Sequence, residues 1–165
     1  MKPPEMPITQ AVRALRAAKV AFTPHLYPYV ERGGTRASSQ ALGLDEHTVV
    51  KTIVMEATGE RNRPLIVLMH GDREISTQKL ARLLGAKDVV PASEGTVEKC
   101  TGYLPGGTSP FGTRTALPVY VEESIFALER IYINGGKRGF LVGIAPAALT
   151  SLLKVTAVNV GVGPA

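Results

Sequence analysis

Lys51 is the first residue whose type and position could do chemistry. It stands in the apolar run VVKTIVMEA. With the period of two of a strand, Val49, Lys51, Ile53 and Met55 share one face while Val50, Thr52 and Val54 share the other, so an ammonium sits on an otherwise apolar face. Burying it alone would cost several kcal/mol or force it neutral. Two readings follow: an edge lysine that blocks aggregation or snorkels to solvent, or a lysine in a pocket that meets an anionic ligand. The second feature is the loop GYLPGGTSPFG, Gly102–Gly112. Gly106 and Gly107 remove the Cβ atoms that would keep a ligand off the backbone, and their N–H groups suit an oxyanion or a phosphate. Pro105 and Pro110 stiffen both sides; a wide structural turn is the other reading. The third is GGKRG, Gly135–Gly139, where Lys137 and Arg138 are either solvated turn charges or a two-cation contact to a nucleic-acid backbone.

Several chemistries are excluded by the same residues. Gly102 to Ser109 has phosphate-loop spacing, but Thr108 stands where the lysine must be. Ser109 is in no nucleophile elbow, because Phe111 replaces the second glycine. A single cysteine, Cys100, allows no intrachain disulfide and no cysteine-based metal cluster. His25, His47 and His70 are far apart in the chain and show no metal spacing. No metal and no cofactor is expected. Glu122–Glu123 reads as a helix start, where carboxylates favour the dipole. What remains is a lysine, a donor loop and a basic turn without a protein nucleophile, a set that binds and orients an anionic ester better than it attacks one.

The elements that must position these groups can be read from pattern. The chain has 165 residues with 44% hydrophobic and 20% charged residues, which is the composition of one globular domain. Thr9 caps a helix with Val12, Leu15 and Ala18 on one stripe. Ala21–Tyr29 is an extended edge segment because of Pro24 and Pro28. ERGGTR, 31–36, is loop, and Ser38 or Ser39 caps a short helix closing at Gly43. Val49–Ala57 and Leu65–His70 form a hairpin. Ser76 caps the helix TQKLARLL, ended by Gly85. Asp88–Val90 is a short buried strand, Ser93–Cys100 a short helix, Val119–Val121 a strand and Glu122–Leu128 a helical piece. Arg130–Asn134 and Gly139–Ile144 flank the GGKR turn, Pro146–Leu153 is a Pro-started helix, and Val155–Val160 is the last strand. The expected fold is α+β: a single domain over 1–165, on a twisted mixed, largely antiparallel sheet partly closed like a barrel, flanked by short helices, with 1–7 and 161–165 as flexible ends. The start MKPPEMPITQ lacks a secretory apolar region, and the longest uncharged run, Gly139–Leu153, is shorter than a membrane span; a soluble, cytoplasmic protein with no membrane partner is expected. The net charge of +5 is spread along the chain without a basic block; it is compatible with a phosphate-bearing partner but taken alone supports nucleic-acid binding only weakly.

Read in order, TQAVRALRAAKVAFTPHLY, VVKT, ISTQKLARLLGAKDV, TGYLPGGTSPFG and YINGGKRG resemble the bacterial Cys-tRNA(Pro) deacylase family (YbaK/EbsC), relatives of the editing domain of prolyl-tRNA synthetase. Five pieces in register, from about Thr9 to Val160, carry the likeness. The resemblance implies a trans-editing aminoacyl-tRNA deacylase that removes a mischarged amino acid, Cys from Cys-tRNA(Pro) in the first instance. Its partners would be the 3′ acceptor end of the aminoacyl-tRNA and prolyl-tRNA synthetase. It implies catalytic roles for Lys51, Gly106 and Gly107: Lys51 holds the terminal phosphate or ribose, and the loop from Gly106 to Pro110 grips the aminoacyl carbonyl. Substrate contacts would come from Tyr27, Thr52, Tyr103, Thr108, Ser109, Pro110, Lys137 and Arg138. In cysteine-specific members the substrate's own thiol attacks the ester. Some members carry an aspartate two residues past the last glycine of GGKRG, where this chain has Leu141, which leaves alanine or another small amino acid open as the one removed. A tRNA- or synthetase-binding module without catalysis and a small-molecule ester hydrolase are the rival readings.

Overall fold

The computed structural model describes residues 6–163. An alternation of apolar residues on both faces of one hairpin organises it. Strands β2 (Val49–Ala57) and β3 (Arg63–His70) pair antiparallel from Val50↔His70 to Ala57↔Arg63. Val50, Val54, Ile66 and Leu68 point into one core, with Phe111, Phe140 and Leu149. Met55, Leu65, Val67 and Met69 point into a second core on the opposite face, with Leu80 and Val160. A sheet buried on both faces must read as near-continuous apolar residues in its central strands, which is why LIVLMH shows no alternation.

Around this hairpin the remaining strands are β1 (Thr23–Leu26), β4 (Glu74–Ile75), β5 (Val89–Pro91), β6 (Val119–Glu122), β7 (Ile131–Lys137), β8 (Phe140–Ile144), β9 (Val155–Val158) and β10 (Gly161–Val162). The main sheet runs β1-β8-β7-β2-β3-β6-β9, with β5 added to β2, while β4 and β10 form a separate pair. Three of its pairings, β2 with β7, β3 with β6 and β6 with β9, are parallel. The fold is α+β on a mixed sheet, and the sheet is strongly twisted and open, not closed into a barrel. The helices are α1 (Gln10–Ala17), α2 (Gly34–Leu42), α3 (Thr77–Leu84), α4 (Glu94–Thr101) and α5 (Ala147–Leu152). Thr9, Ser76 and Ser93 each cap their helix by accepting a backbone N–H three residues on, as their hydroxyls favour. No helix among the described residues is long and apolar enough to cross a membrane.

Five local expectations are corrected. Segment 31–36 is not all loop, since α2 begins at Gly34; Ser38 and Ser39 are buried inside that helix and donate to the Thr35 and Arg36 carbonyls instead of capping it. The turn of the β7–β8 hairpin is Arg138–Gly139, not the whole of GGKR, because a bulge between Asn134 and Lys137 lets the strand run on through the glycines. Val90, expected buried, is 40% exposed. Of the segments expected as flexible ends, 1–5 and 164–165 lie outside the described residues, and Gly161–Val162 pairs with Glu74–Ile75.

Glu122 ties that last strand down. It ends β6 and, as expected, stands at the start of a helical piece, the 3-10 helix Glu123–Ala127, where it is 1% exposed. Its carboxylate accepts the Val160 and Gly161 N–H groups, each at 2.7 Å, with an Arg73 guanidinium nitrogen at 3.9 Å. Removing it strands two buried donors, so Glu122→Ala is expected to lower the unfolding free energy by about 2–4 kcal/mol. It should also speed hydrogen exchange at Val160 and Gly161 ahead of β2. Denaturant unfolding with residue-resolved exchange checks this; unchanged protection at the two amides would refute the anchoring role.

Candidate aminoacyl-ester site

The site exists because two strands part. β7 pairs with β2 at only two positions, Val49↔Tyr132 and Val50↔Ile133, before its bulge carries it away. β5 then covers the same edge of β2 from Met55, and the Ala92 N–H reaches the Val54 carbonyl at 3.0 Å. Between them, Lys51–Ile53 has no neighbouring strand on that edge among the described residues. A cavity of about 440 Å³ opens there, between the sheet and α2.

On its sheet side the cavity is lined by Val49, Lys51, Asn134 and Leu141. Those side chains share a face: Val49 pairs with Tyr132, and Asn134 with Leu141. This resolves the lysine in the apolar strand. The face that packs on the second core at Ile53 and Met55 floors an open cavity at Val49 and Lys51. The Lys51 side chain is 21% exposed and its Nζ lies 3.5 Å from Glu74 Oε1, whose side chain is 80% exposed; an exposed partner of this kind contributes little and can be displaced. Thr52 also lines the cavity, and its Oγ1 is buried with no hydrogen-bond partner.

The opposite wall is the glycine loop, clamped to the β7–β8 hairpin. Asn134 Nδ2 donates to the Gly106 carbonyl at 3.2 Å, and Arg138 Nε donates to the Pro105 carbonyl at 2.8 Å. Gly106 has φ +83°, and a Cβ there would lie 2.5 Å from the Tyr29 hydroxyl. A Cβ on Gly107 would meet the Arg138 backbone N at 2.8 Å. The two glycines therefore serve different ends: Gly106 keeps a left-handed bend beside an aromatic ring, and Gly107 lets the loop lie against the hairpin. The Gly107 N–H is spent on the Leu104 carbonyl at 2.9 Å. The N–H groups of Gly106 and Thr108, both in the cavity lining, have no acceptor among the described residues.

Of the sequence-derived candidates, Lys51, Thr52, Gly106, Thr108, Tyr27 and Arg138 meet in this cavity. Burial raises the Tyr27 phenol above its ordinary range, with Tyr29 adding to the effect, so at neutral pH it is a donor. The others lie elsewhere. Gly107 packs behind the loop. Tyr103 is 6% exposed, burial pushes its phenol up to about 12, and its hydroxyl donates to the Phe111 carbonyl. Ser109 is fully buried and accepts the Phe111 N–H. Pro110 is buried beside it. Lys137 lines a neighbouring depression with Pro28 and Gly139. Sequence reasoning missed Tyr29, Arg32 and Asn134, all of which line the cavity. Arg32 adopts φ +59°; only Asn134, next to GGKRG, carried a local signal.

No lining hydroxyl is hydrogen-bonded to a histidine or lysine among the described residues: Ser38 and Thr108 donate to backbone carbonyls, and Thr35 to Glu46 and the Gly71 carbonyl. The fold does gather two histidines that the sequence keeps apart. His47 and His70 stack at 3.8 Å, and Asp72 lies 2.9 Å from His47 Nδ1, so three metal-capable side chains adjoin outside the cavity lining. Both nitrogens of the fully buried His70 are engaged: Nδ1 with the His47 carbonyl at 2.8 Å and Nε2 with Ser124 Oγ at 2.7 Å. The carbonyl requires an N–H at Nδ1, and burial, which lowers the ring's pKa, favours the neutral form, in which Nε2 accepts from the Ser124 hydroxyl.

Among the described residues, the cavity thus has an ammonium on one wall, two amides without an acceptor on the other and no lining hydroxyl bonded to a histidine or lysine. The model of the aminoacyl-tRNA editing domain matches residues 33–152, and the chain belongs to that family. It is 30% identical over 145 residues to the proposed Cys-tRNA(Pro)/Cys-tRNA(Cys) deacylase EbsC of Enterococcus faecalis, covering 87% of each chain. It is 33% identical over 99 residues to the proline–tRNA ligase of Caldicellulosiruptor bescii, covering 60% of this chain but spanning only 16% of the ligase. The solved structure of a proposed trans-editing enzyme for prolyl tRNA synthetase shares the fold, with TM-score 0.78 and 24% identity over 99% of this chain and all of that one.

Burial, first, lowers the His70 pKa below 6.5. The unfolded chain then binds the extra proton, so stability is full above about pH 6.5 and falls as pH drops from there toward the folded value. His25 shifts the same way, through burial and Arg130, so His70→Gln isolates the share of His70. The variant should melt lower than the parent at pH 7.5, with a shallower fall between pH 7 and 5. Parallel melting curves across that range would rule the assignment out.

Proposed function

We propose that the protein is a trans-editing deacylase that removes cysteine from Cys-tRNA(Pro) by substrate-assisted cleavage. The observation that carries the reading is the meeting of Lys51 with the free amides of Gly106 and Thr108 across one cavity. The Lys51 ammonium takes the terminal phosphate or ribose of the charged 3′ end, exchanging its loose contact with Glu74 for a charge-assisted one. The Gly106 and Thr108 N–H groups take the ester carbonyl and the charge that develops on it. The substrate thiol attacks that carbon: a C–S bond forms, the ester C–O bond breaks, the thiol proton ends on the ribose oxygen, and a cyclic thiolactone leaves. An oriented intramolecular thiol has an effective molarity of about 10⁵ M or more, which is why the site can do without a protein nucleophile. Tyr27, protonated at neutral pH, can donate to the ribose. The relation to a domain of proline–tRNA ligases supports tRNA(Pro) as the carrier and the synthetase as a companion in the cytoplasm.

One observation favours a second reading, a deacylase for alanine by hydrolysis. Val49 and Leu141 are 1% and 4% exposed, belong to neither core and line the cavity. An apolar floor accepts a methyl as readily as a thiol, and discrimination between them there is about 1–3 kcal/mol.

Single-turnover deacylation of Cys-, Ala- and Ser-tRNA(Pro) decides. Cysteine is expected to leave fastest; release of alanine ahead of cysteine selects the second reading, and binding without release of any amino acid sinks both. Lys51→Ala should lose on the order of 10²–10³-fold in rate with an unchanged melting temperature, and near-normal turnover would remove the lysine from the mechanism. Gly106→Val, forced against Tyr29, should lose activity by a similar factor; unchanged kinetics would count against the loop.

A further inference from the structure

We infer that the Tyr29–Arg138 pair at the cavity mouth is a stacking subsite for the terminal nucleobase of the RNA 3′ end, an inference that rests on the ester-binding reading of the cavity. Tyr29 is 37% exposed and its chain neighbour Val30, which also lines the cavity, is 54% exposed. An aromatic on a surface loop is ordinarily free to move; this one is held. Its hydroxyl sits over Gly106, where a Cβ would come within 2.5 Å, and its Cβ would lie 3.6 Å from a Cβ on Gly139. The Arg138 guanidinium lies 5.2 Å from its ring centroid, while Arg138 Nε is fixed by the Pro105 carbonyl at 2.8 Å. Ring and guanidinium are therefore positioned before any ligand arrives, which lowers the ordering cost of stacking on them.

The choice of occupant follows from connectivity and charge. If the ester on the terminal ribose enters between Lys51 and Gly106, the base bonded to that same ribose must rest at the mouth, where Tyr29 and Arg138 are. Arg32 and Arg138 line the cavity, and Lys137 lines the adjoining depression with Pro28. An aromatic face with cations beside it is the arrangement that takes unstacked bases and their phosphates.

The test compares an uncharged RNA hairpin ending in CCA with a twin that lacks only the terminal base, by fluorescence anisotropy. The native protein should bind the complete hairpin about ten-fold more tightly than the twin. Tyr29→Leu should abolish that preference while leaving affinity for the twin unchanged, and Tyr29→Phe should restore it. Equal binding of the two RNAs by the native protein, no measurable binding of either, or an equal loss on both with Tyr29→Leu would overturn the inference. Deacylation of the charged forms, run alongside, separates the two claims. Base-dependent binding without cleavage defeats the enzyme and keeps the subsite; cleavage indifferent to the base defeats the subsite and keeps the enzyme.

Discussion

The short contact between β2 and β7 is the constraint from which the site follows. Two strands that had paired along their length would have buried Lys51 in a sheet, where an ammonium is costly. Pairing stops after Val50↔Ile133, and the bulge at Asn134–Lys137 carries β7 aside. The released edge leaves room for a cavity, and the displaced hairpin becomes the support for its far wall. One irregularity of register thus both creates the space and supplies Asn134 and Arg138 to hold the loop that closes it.

The cation is stationed by the same economy of faces. β2 is apolar on both sides because two cores lie against it. The side that carries Lys51 changes role along its length, from cavity floor at Val49 to core at Met55. The lysine therefore emerges where that face passes from cavity to core. Glu74 reaches it from β4, which is itself held by β10 and, through Gly161, by the Glu122 carboxylate. A buried carboxylate remote from the cavity thus helps to set the charge next to it.

The glycine loop keeps two amides without an acceptor among the described residues. Its amides matter only because something else has consumed the neighbouring ones: Leu104 takes the Gly107 N–H, and Asn134 takes the Gly106 carbonyl. The N–H groups left over, of Gly106 and Thr108, belong to residues that line the cavity. Tyr103 and Ser109 serve this arrangement from behind, by fastening the loop to Phe111. The family resemblance implied substrate contact for both, but a hydroxyl read from sequence has no direction.

The chain alone determined most of its elements and its class. The caps Thr9, Ser76 and Ser93, the left-handed ends at Gly43 and Gly85, the doubly apolar hairpin and the anomaly at Lys51 are local signals, written in neighbouring residues. The order of five motifs was legible as a family likeness for the same reason. Tertiary structure decided what no window of sequence contains: that the sheet stays open, that three of its pairings are parallel, that His47 stacks on His70, and that Glu122 reaches the last strand. It alone brought Tyr29, Asn134 and Leu141 around a lysine dozens of residues away. Local conformation depends on near neighbours, whereas a cavity is the space left between elements, and its lining is set by register and twist, which are properties of the packed whole.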